Sequence, residues 1–152
     1  MTDSVIPDFE VSATGGQRFA SAAFRGHRYI IYFYPKDDTP GCTIEGAAFR
    51  DLYAEFKKTG YLIFGVSRDT VASHEKFKAK MSFPFDLLSD SDEVMCKLFN
   101  VIREKNMYGK KVFGIERSTF VMGPKNEILK EWRGVKVDGH AEEVLAAAKS
   151  VS

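Results

Sequence analysis

A short aromatic and aliphatic segment early in the chain constrains the fold most strongly. Residues 29–34 (YIIYFY) form an unbroken run that ends at Pro35, which is typical of a central strand covered on both faces. An amphipathic helix is predicted next, beginning at Cys42. Its apolar positions are Ile44, Ala48, Phe49, Leu52, Tyr53 and Phe56. A second buried-type strand follows at residues 61–66 (YLIFGV), so the order predicts a parallel βαβ unit.

The rest of the chain continues this alternation and then changes to a hairpin. We predict further helices at residues 72–81, 90–100 and 140–149, and further strands at residues 85–88, 118–122 and 128–132. The turn-forming segment Gly123-Pro124-Lys125-Asn126 joins the last two strands, so we expect them to pair as an antiparallel hairpin. This order predicts an α/β protein with a mixed central β-sheet flanked by helices, as in thioredoxin-like folds.

Size and charge narrow the class of protein. A chain of 152 residues is near the usual size of one compact domain, so we expect residues 1–152 to form a single domain. The net charge of +1 gives no broad positive field to attract nucleic acid. No apolar run approaches the roughly 20 residues that cross a bilayer, and residues 1–9 lack the pattern of a targeting segment. We therefore expect a cytoplasmic protein without nucleic-acid or membrane partners.

Cys42 is the sharpest candidate for chemistry. Residues 35–42 (PKDDTPGC) leave the first strand and place this thiol in the first turn of the next helix. Unpaired backbone N–H groups and the helix dipole stabilise a thiolate, the nucleophilic form, at such a position. Thr39 could offer its hydroxyl to the sulfur and to an incoming oxygen, and Gly41 lets the backbone approach closely. A purely structural interpretation also fits, with Thr39 as a helix cap and Cys42 as a small core residue.

The longer string around Cys42 resembles a known family signature. Residues 33–43 (FYPKDDTPGCT) are similar to the active-site segment of the peroxiredoxins, in particular of the bacterioferritin comigratory protein, or PrxQ, subgroup. Similar segments recur along nearly the whole chain, at residues 5–9 (VIPDF), 65–67 (GVS), 87–90 (LLSD), 107–110 (MYGK) and 117–120 (RSTF). The resemblance implies a thioredoxin-like peroxiredoxin that needs no metal or other cofactor.

The resemblance also implies roles for individual residues. Thr39, Cys42 and Arg117 would form the catalytic trio, with Arg117 stabilising both the thiolate and the peroxide oxygen. Pro35 would shape and shield the pocket. Glu45, one helical turn beyond the thiol, would help to orient Arg117, although its position alone also fits an exposed side chain that favours the helix dipole. The implied substrates are hydrogen peroxide and organic hydroperoxides, and the implied first product is a sulfenic acid on Cys42.

The sequence departs from the subgroup where a second cysteine is expected. Ala47 and Lys78 occupy the two positions at which members carry a resolving cysteine, which leaves Cys96 as the second thiol of the chain. A bridge to Cys42 needs Cα atoms within about 7 Å, which would demand local unwinding if Cys96 lies on a separate packed helix. We therefore predict a one-cysteine cycle with an external thiol reductant, either thioredoxin or glutathione with or without glutaredoxin. Cys96 as an atypical resolving cysteine is the alternative.

Other functions are also compatible with parts of the sequence. A Cys–His hydrolase would need His27, His74 or His140 beside the thiol, but no separate oxyanion-type glycine motif accompanies them. A thioredoxin-fold binding module or thiol redox sensor would share the first oxidation step. Scattered histidines and two unpaired cysteines predict no metal site. The subgroup resemblance implies a monomer. A weak homodimer is the alternative, because aromatic edges could support one and a one-cysteine enzyme could join through an intermolecular Cys42 disulfide.

Overall fold

The computed structural model describes residues 5–151. In that range the strands are β1 Glu10–Ala13, β2 Gln17–Ala20, β3 Arg28–Phe33, β4 Tyr61–Ser67, β5 Leu87–Ser89, β6 Ile102–Met107, β7 Lys110–Ile115, β8 Ser118–Met122 and β9 Ile128–Arg133. The α-helices are α1 Pro40–Lys58, α2 Val71–Met81, α3 Val94–Leu98 and α4 His140–Ser150. Within the described range, none of these helices combines the length and apolar character needed to span a bilayer.

Seven strands form one mixed sheet in the order β2-β1-β5-β4-β3-β8-β9. Strands β3, β4 and β5 are parallel neighbours, because α1 and α2 connect them as crossovers. The other pairs in this sheet are antiparallel, including β8 with β9. The predicted βαβ unit, the late hairpin and the mixed sheet flanked by helices are therefore confirmed.

The central strand β3 separates two hydrophobic cores. Tyr29, Ile31 and Phe33 belong to one core, whereas Ile30 and Tyr32 belong to the other, as the alternation of side chains along a strand requires. We name the two sides of the sheet by a helix on each. The α1 face is packed by residues of α1, α2 and α4, including Cys42, Phe49, Phe56, Phe77 and Val144. The α3 face is packed by α3 and nearby residues, including Met95, Cys96 and Phe99.

Two predicted helices have different bounds in the structure. Helix α1 begins at Pro40 rather than at Cys42, because proline suits the first helical position, where no N–H is needed. The helix predicted at residues 90–100 shrinks to Val94–Leu98. Glu93 before it has a left-handed backbone with φ of 60°, and the Asp90 carboxylate accepts hydrogen bonds from N–H groups at the start of α3.

Two hairpins in the structure were not predicted from the sequence. Strands β1 and β2 pair along one edge of the main sheet, and β6 and β7 form a separate two-stranded sheet. The β6–β7 turn contains Tyr108 and Gly109, whose φ values are 54° and 78°. Positive φ at both turn residues is typical of the two-residue turns that match strand twist.

Candidate active site

Two chain segments meet at the end of β3. The strand pairs with β8 in a register that places Phe33 opposite Ser118. The loop after β3 leads into α1 and Cys42, while Arg117 directly precedes Ser118. The sheet thus brings a thiol and a guanidinium together from positions 75 residues apart in the chain.

Cys42 lies in the first turn of α1 with 1% of its surface exposed. The first intrahelical bond runs from the Thr43 N–H to the Thr39 carbonyl oxygen at 2.9 Å. The N–H groups of Gly41 and Cys42 precede this bond, in the part of a helix where backbone donors have no intrahelical acceptor. Together with the helix dipole, they favour negative charge on the sulfur.

Arg117 joins the thiol to a carboxylate. Its Nη2 donates to Cys42 Sγ at 3.6 Å, and its Nη1 donates to Glu45 Oε1 at 2.6 Å. Burial alone would lower the pKa of Arg117, but the neighbouring Glu45 and Cys42 raise it above its ordinary value. The guanidinium therefore stays protonated and places a positive charge beside Cys42 Sγ.

Glu45 is not the exposed side chain that its position alone suggested. Only 1% of its surface is exposed, because it lies on the buried side of α1 with Cys42 and pairs with Arg117. Within the described part of the chain, its Oε2 is one of three buried side-chain atoms without a hydrogen-bond partner. Burial raises the pKa of Glu45 from 4.5 to about 7, although Arg117 opposes the shift. The resemblance implied the contact between Glu45 and Arg117, which the structure shows, but the position in the sequence did not reveal the burial of Glu45.

The remaining predicted pocket residues, Thr39, Gly41 and Pro35, differ in their contacts and exposure. The Thr39 hydroxyl donates to the Lys36 carbonyl oxygen at 2.9 Å, so neither the predicted side-chain cap nor a bond to sulfur is formed. This donation leaves the lone pairs of the Thr39 oxygen as acceptors. Gly41 lies against the arginine, since a Cβ at this position would be 3.0 Å from Arg117 Nη2. Pro35 is exposed at the end of β3.

The second thiol lies on the other side of the sheet. Cys96 belongs to the core of the α3 face, whereas Cys42 belongs to the core of the α1 face. Burial raises the pKa of Cys96, and its hydrogen bond and charge interaction with Asp90 raise it further. At one of the two positions where a resolving cysteine was sought, Lys78 pairs with Asp86 at 2.7 Å. The other position, Ala47, is half-buried in α1.

The histidines have partners other than the thiol. His27 is exposed, and Nε2 of His140 contacts Thr119 Oγ1 at 2.8 Å. His74 is fully buried, and its ring nitrogens contact Asp37 Oδ2 at 2.7 Å and the Leu88 carbonyl oxygen at 2.8 Å. The Cys–His arrangement of a hydrolase therefore finds no support in these contacts.

Sequence analysis missed the grouping around His74. Asp37, Asp69 and His74 bring one ligand-type atom each within 4.8 Å of one another. Hydrogen bonds already use these atoms, because Asp37 Oδ2 contacts His74 and Asp69 Oδ2 accepts from the Asp37 N–H. We interpret the group as a hydrogen-bonding network rather than a metal site. No local signal links residues separated by 37 positions.

Comparison with known proteins gives one consistent family. The model of the AhpC/TSA family matches residues 2–131. The chain is 53% identical to a peroxiredoxin Bcp of Xanthomonas campestris pv. campestris, with 99% of this chain and 98% of the relative covered. It is 41% identical to a peroxiredoxin Bcp of Bacillus subtilis, with 96% and 93% covered.

A solved structure agrees with these sequence relatives. The bacterioferritin comigratory protein of Xanthomonas campestris, studied for its alkyl peroxide reduction activity, superposes with a TM-score of 0.94 at 51% identity, covering 99% of each chain. The fold, the thiol at the start of α1 and the sequence relatives therefore point in one direction. The chain belongs to the AhpC/TSA family, as a peroxiredoxin of the PrxQ group, and is a thiol-dependent peroxidase.

Proposed function

We propose that Cys42 is the peroxidatic thiol, that Thr39 and Arg117 complete the catalytic site, and that an external thiol returns the enzyme to its reduced state. The observation that carries the proposal is the 3.6 Å contact between Arg117 Nη2 and Cys42 Sγ at the start of α1. A buried sulfur with a guanidinium and free helix N–H donors beside it is suited to act as a thiolate nucleophile.

The first step is a two-electron oxidation of the sulfur. The Cys42 thiolate attacks one peroxide oxygen, the O–O bond breaks, and the departing oxygen takes a proton and leaves as water or alcohol. The sulfur becomes a sulfenic acid. Arg117 donors and backbone N–H groups stabilise the charge that develops on the departing oxygen. The Thr39 oxygen, whose proton is committed to the Lys36 carbonyl, accepts a hydrogen bond from the peroxide.

The second step needs a thiol that the fold does not bring to Cys42. Cys96 lies in the core on the opposite face of the sheet, and a disulfide needs Cα atoms within about 7 Å. An external thiol therefore attacks the sulfenic acid, which releases water and leaves a mixed disulfide. A second thiol then attacks that disulfide and restores Cys42. Glutathione, with or without glutaredoxin, and thioredoxin are the candidate reductants, and the cycle uses no metal or other cofactor.

The proposed substrates are hydrogen peroxide and organic hydroperoxides, and the proposed role is antioxidant defence. The related Xanthomonas campestris protein was studied for alkyl peroxide reduction, which supports including the organic substrates. We also propose a cytoplasmic protein of one domain that acts as a monomer or weak homodimer, without nucleic-acid or membrane partners. The near-neutral charge and the two free cysteines support this setting.

Mass spectrometry of the intact protein tests the cycle. Wild type and Cys96→Ser are treated with one equivalent of hydrogen peroxide and dimedone, then mapped as peptides, and Cys42→Ser serves as the unreactive control. A dimedone adduct on Cys42 in the first two proteins is expected, together with equal peroxidase turnover when glutathione and glutaredoxin, or thioredoxin, are supplied. Linked Cys42 and Cys96 peptides in wild type, with turnover lost in Cys96→Ser, would overturn the one-cysteine cycle. Oxidation of Cys42 without turnover with any of these reductants would favour a redox sensor.

A further inference from the structure

An acidic residue is buried in the loop that carries the active site. Asp37 lies between β3 and α1, five positions before Cys42, and is 7% exposed. Its neighbours Lys36 and Asp38 are exposed, as is usual for charged residues of a loop. A buried carboxylate needs several partners to replace its lost hydration, so its contacts show what it holds in place.

Asp37 is bonded to residues from two neighbouring segments. Its carboxylate accepts hydrogen bonds from Tyr34 Oη at 2.6 Å, from Ser73 Oγ at 2.8 Å and from His74 Nδ1 at 2.7 Å. Its backbone N–H donates to Asp69 Oδ2 at 2.9 Å. We call these five residues the Asp37 network. Ser73 and His74 belong to α2, and Asp69 lies just before it, so the network ties the loop to the β4–α2 segment.

The central pair of the network joins Asp37 to His74 in the interior of the protein. The second ring nitrogen of His74 contacts the Leu88 carbonyl oxygen at 2.8 Å. A carbonyl oxygen and an ionised carboxylate can only accept hydrogen bonds, so each ring nitrogen of His74 lies against an acceptor. Burial would raise the pKa of Asp37, but the hydrogen bonds from His74, Tyr34 and Ser73 and the charge of His74 together lower it. The pair is held within the fold rather than at its surface.

The two halves of the catalytic site depend on different supports. Arg117 is positioned by β8, which pairs directly with β3. Cys42 is positioned by the loop that follows β3, and Asp37 is the buried anchor of that loop. The loop also has an ion pair between Asp38 and Lys80 at 2.6 Å, in which both side chains are more than half exposed. Exposed ion pairs contribute little to stability. The Asp37 network therefore holds the loop that leads into α1, while Glu45 of α1 makes the direct ion pair with Arg117.

We propose that Asp37 and His74 are positioning residues whose buried pair fixes the loop before α1, and so holds Cys42 in the arrangement that reacts with peroxide. The inference rests on the proposed function of Cys42. The same pair opposes the second step, because the sulfur is 1% exposed and a bulky reductant reaches it only when the loop and the first turn of α1 open. Weakening the network should slow oxidation of Cys42 and speed reduction of its sulfenic acid.

The test measures the two half-reactions separately. Asp37→Asn and His74→Gln disrupt the buried pair, and Ser73→Ala removes one hydrogen bond to Asp37 as a milder change. The matched control is Asp86→Asn, which breaks the pair with Lys78 of α2 at 2.7 Å without touching the loop. Stopped-flow mixing gives the rate constant of reduced enzyme with hydrogen peroxide, and glutathione added to pre-oxidised enzyme gives the rate constant of the second step.

The expected result is opposite changes in the two steps. The peroxide rate constant should fall about tenfold in Asp37→Asn and His74→Gln, since small misplacements of reacting groups cost this much or more, and less in Ser73→Ala. Reduction of the sulfenic acid should become faster, and hydrogen exchange should rise at the amides of residues 38–44. The control should leave all three readouts at wild-type values.

Two outcomes would overturn the inference. One is unchanged rates in the network variants while wild type still forms the Cys42 sulfenic acid, which would leave the proposed function intact. The other is an equal fall in both rate constants that follows the loss of thermal stability, which would mean a purely structural role. If wild-type Cys42 itself failed to react with peroxide, the proposed function would fail first, and the network would have no reaction to position.

Discussion

Replacement of Glu45 by glutamine should change how the stability of the protein depends on pH. Burial raises the pKa of Glu45 from 4.5 to about 7, so the folded protein keeps this proton in a range where the unfolded chain has released it. Glu45 therefore contributes stability that is fully present below pH 4.5 and is lost as the pH rises through about 7. At about 1.4 kcal/mol per pH unit, the loss from this one group is about 3 kcal/mol.

Urea unfolding of paired proteins measures this loss. Glu45→Gln is made in a Cys42→Ser background and compared with Cys42→Ser alone, so that titration of the thiol does not contribute. The free energy of unfolding of the parent minus that of the variant should fall by about 3 kcal/mol between about pH 4.5 and about pH 8. Glu142→Gln is the control, because that residue of α4 is exposed and its difference should stay nearly constant.

A flat difference for Glu45→Gln would refute the reasoning. It would mean that the carboxylate loses its proton as easily in the folded protein as in the unfolded chain, so that Arg117 fully offsets the cost of burial. A difference that rises with pH would go further, since it would make the ion pair a net source of stability.

Three substitutions near the thiol give further predictions. In Gly41→Ala the new Cβ would lie 3.0 Å from Arg117 Nη2, so stopped-flow should show a roughly tenfold slower peroxide reaction at an unchanged Tm; an unchanged rate would contradict this. In Gly46→Ala the Cβ would lie 2.5 Å from the Phe83 ring, so the free energy of unfolding measured in urea should fall by about 1–3 kcal/mol. An unchanged urea midpoint would contradict this prediction. Arg117→Lys loses the paired donors, so the peroxide rate constant should fall about 100-fold; a wild-type rate would argue against the guanidinium.

The parts of the fold that the sequence predicts are those whose surroundings are uniform. Residues 29–34 are apolar throughout because β3 is covered on both faces, so their pattern is unambiguous. Strand β7 differs, because four successive residues, from Lys110 to Phe113, are exposed and side chains on both faces of the strand therefore contact solvent. Such a strand is specified by its turn, Tyr108-Gly109, rather than by burial, and periodicity cannot reveal it.

The candidate site shows where local patterns fail. The apolar pattern of α1 predicted a buried Ile44 and an exposed Glu45. In the structure Ile44 is 61% exposed and Glu45 is 1% exposed. The reversal depends on Arg117, which reaches α1 from another strand and supplies the charge that a buried carboxylate needs. The pairing of Asp37 with His74 depends in the same way on strand order. Family resemblance could supply the first pairing, but no pattern in a single sequence supplies the second.

The two cysteines lie on opposite faces of one sheet, and this placement affects how easily excess peroxide would inactivate the enzyme. A sulfenic acid on Cys42 would have no thiol of its own chain within reach and would wait for a collision with a reductant. During that wait a second peroxide molecule competes for the same sulfur and carries it on to sulfinic acid, which ordinary thiols do not reverse. The peroxide dose that inactivates the enzyme would then rise with the surrounding thiol concentration, because thiol and peroxide compete for the same sulfenic acid.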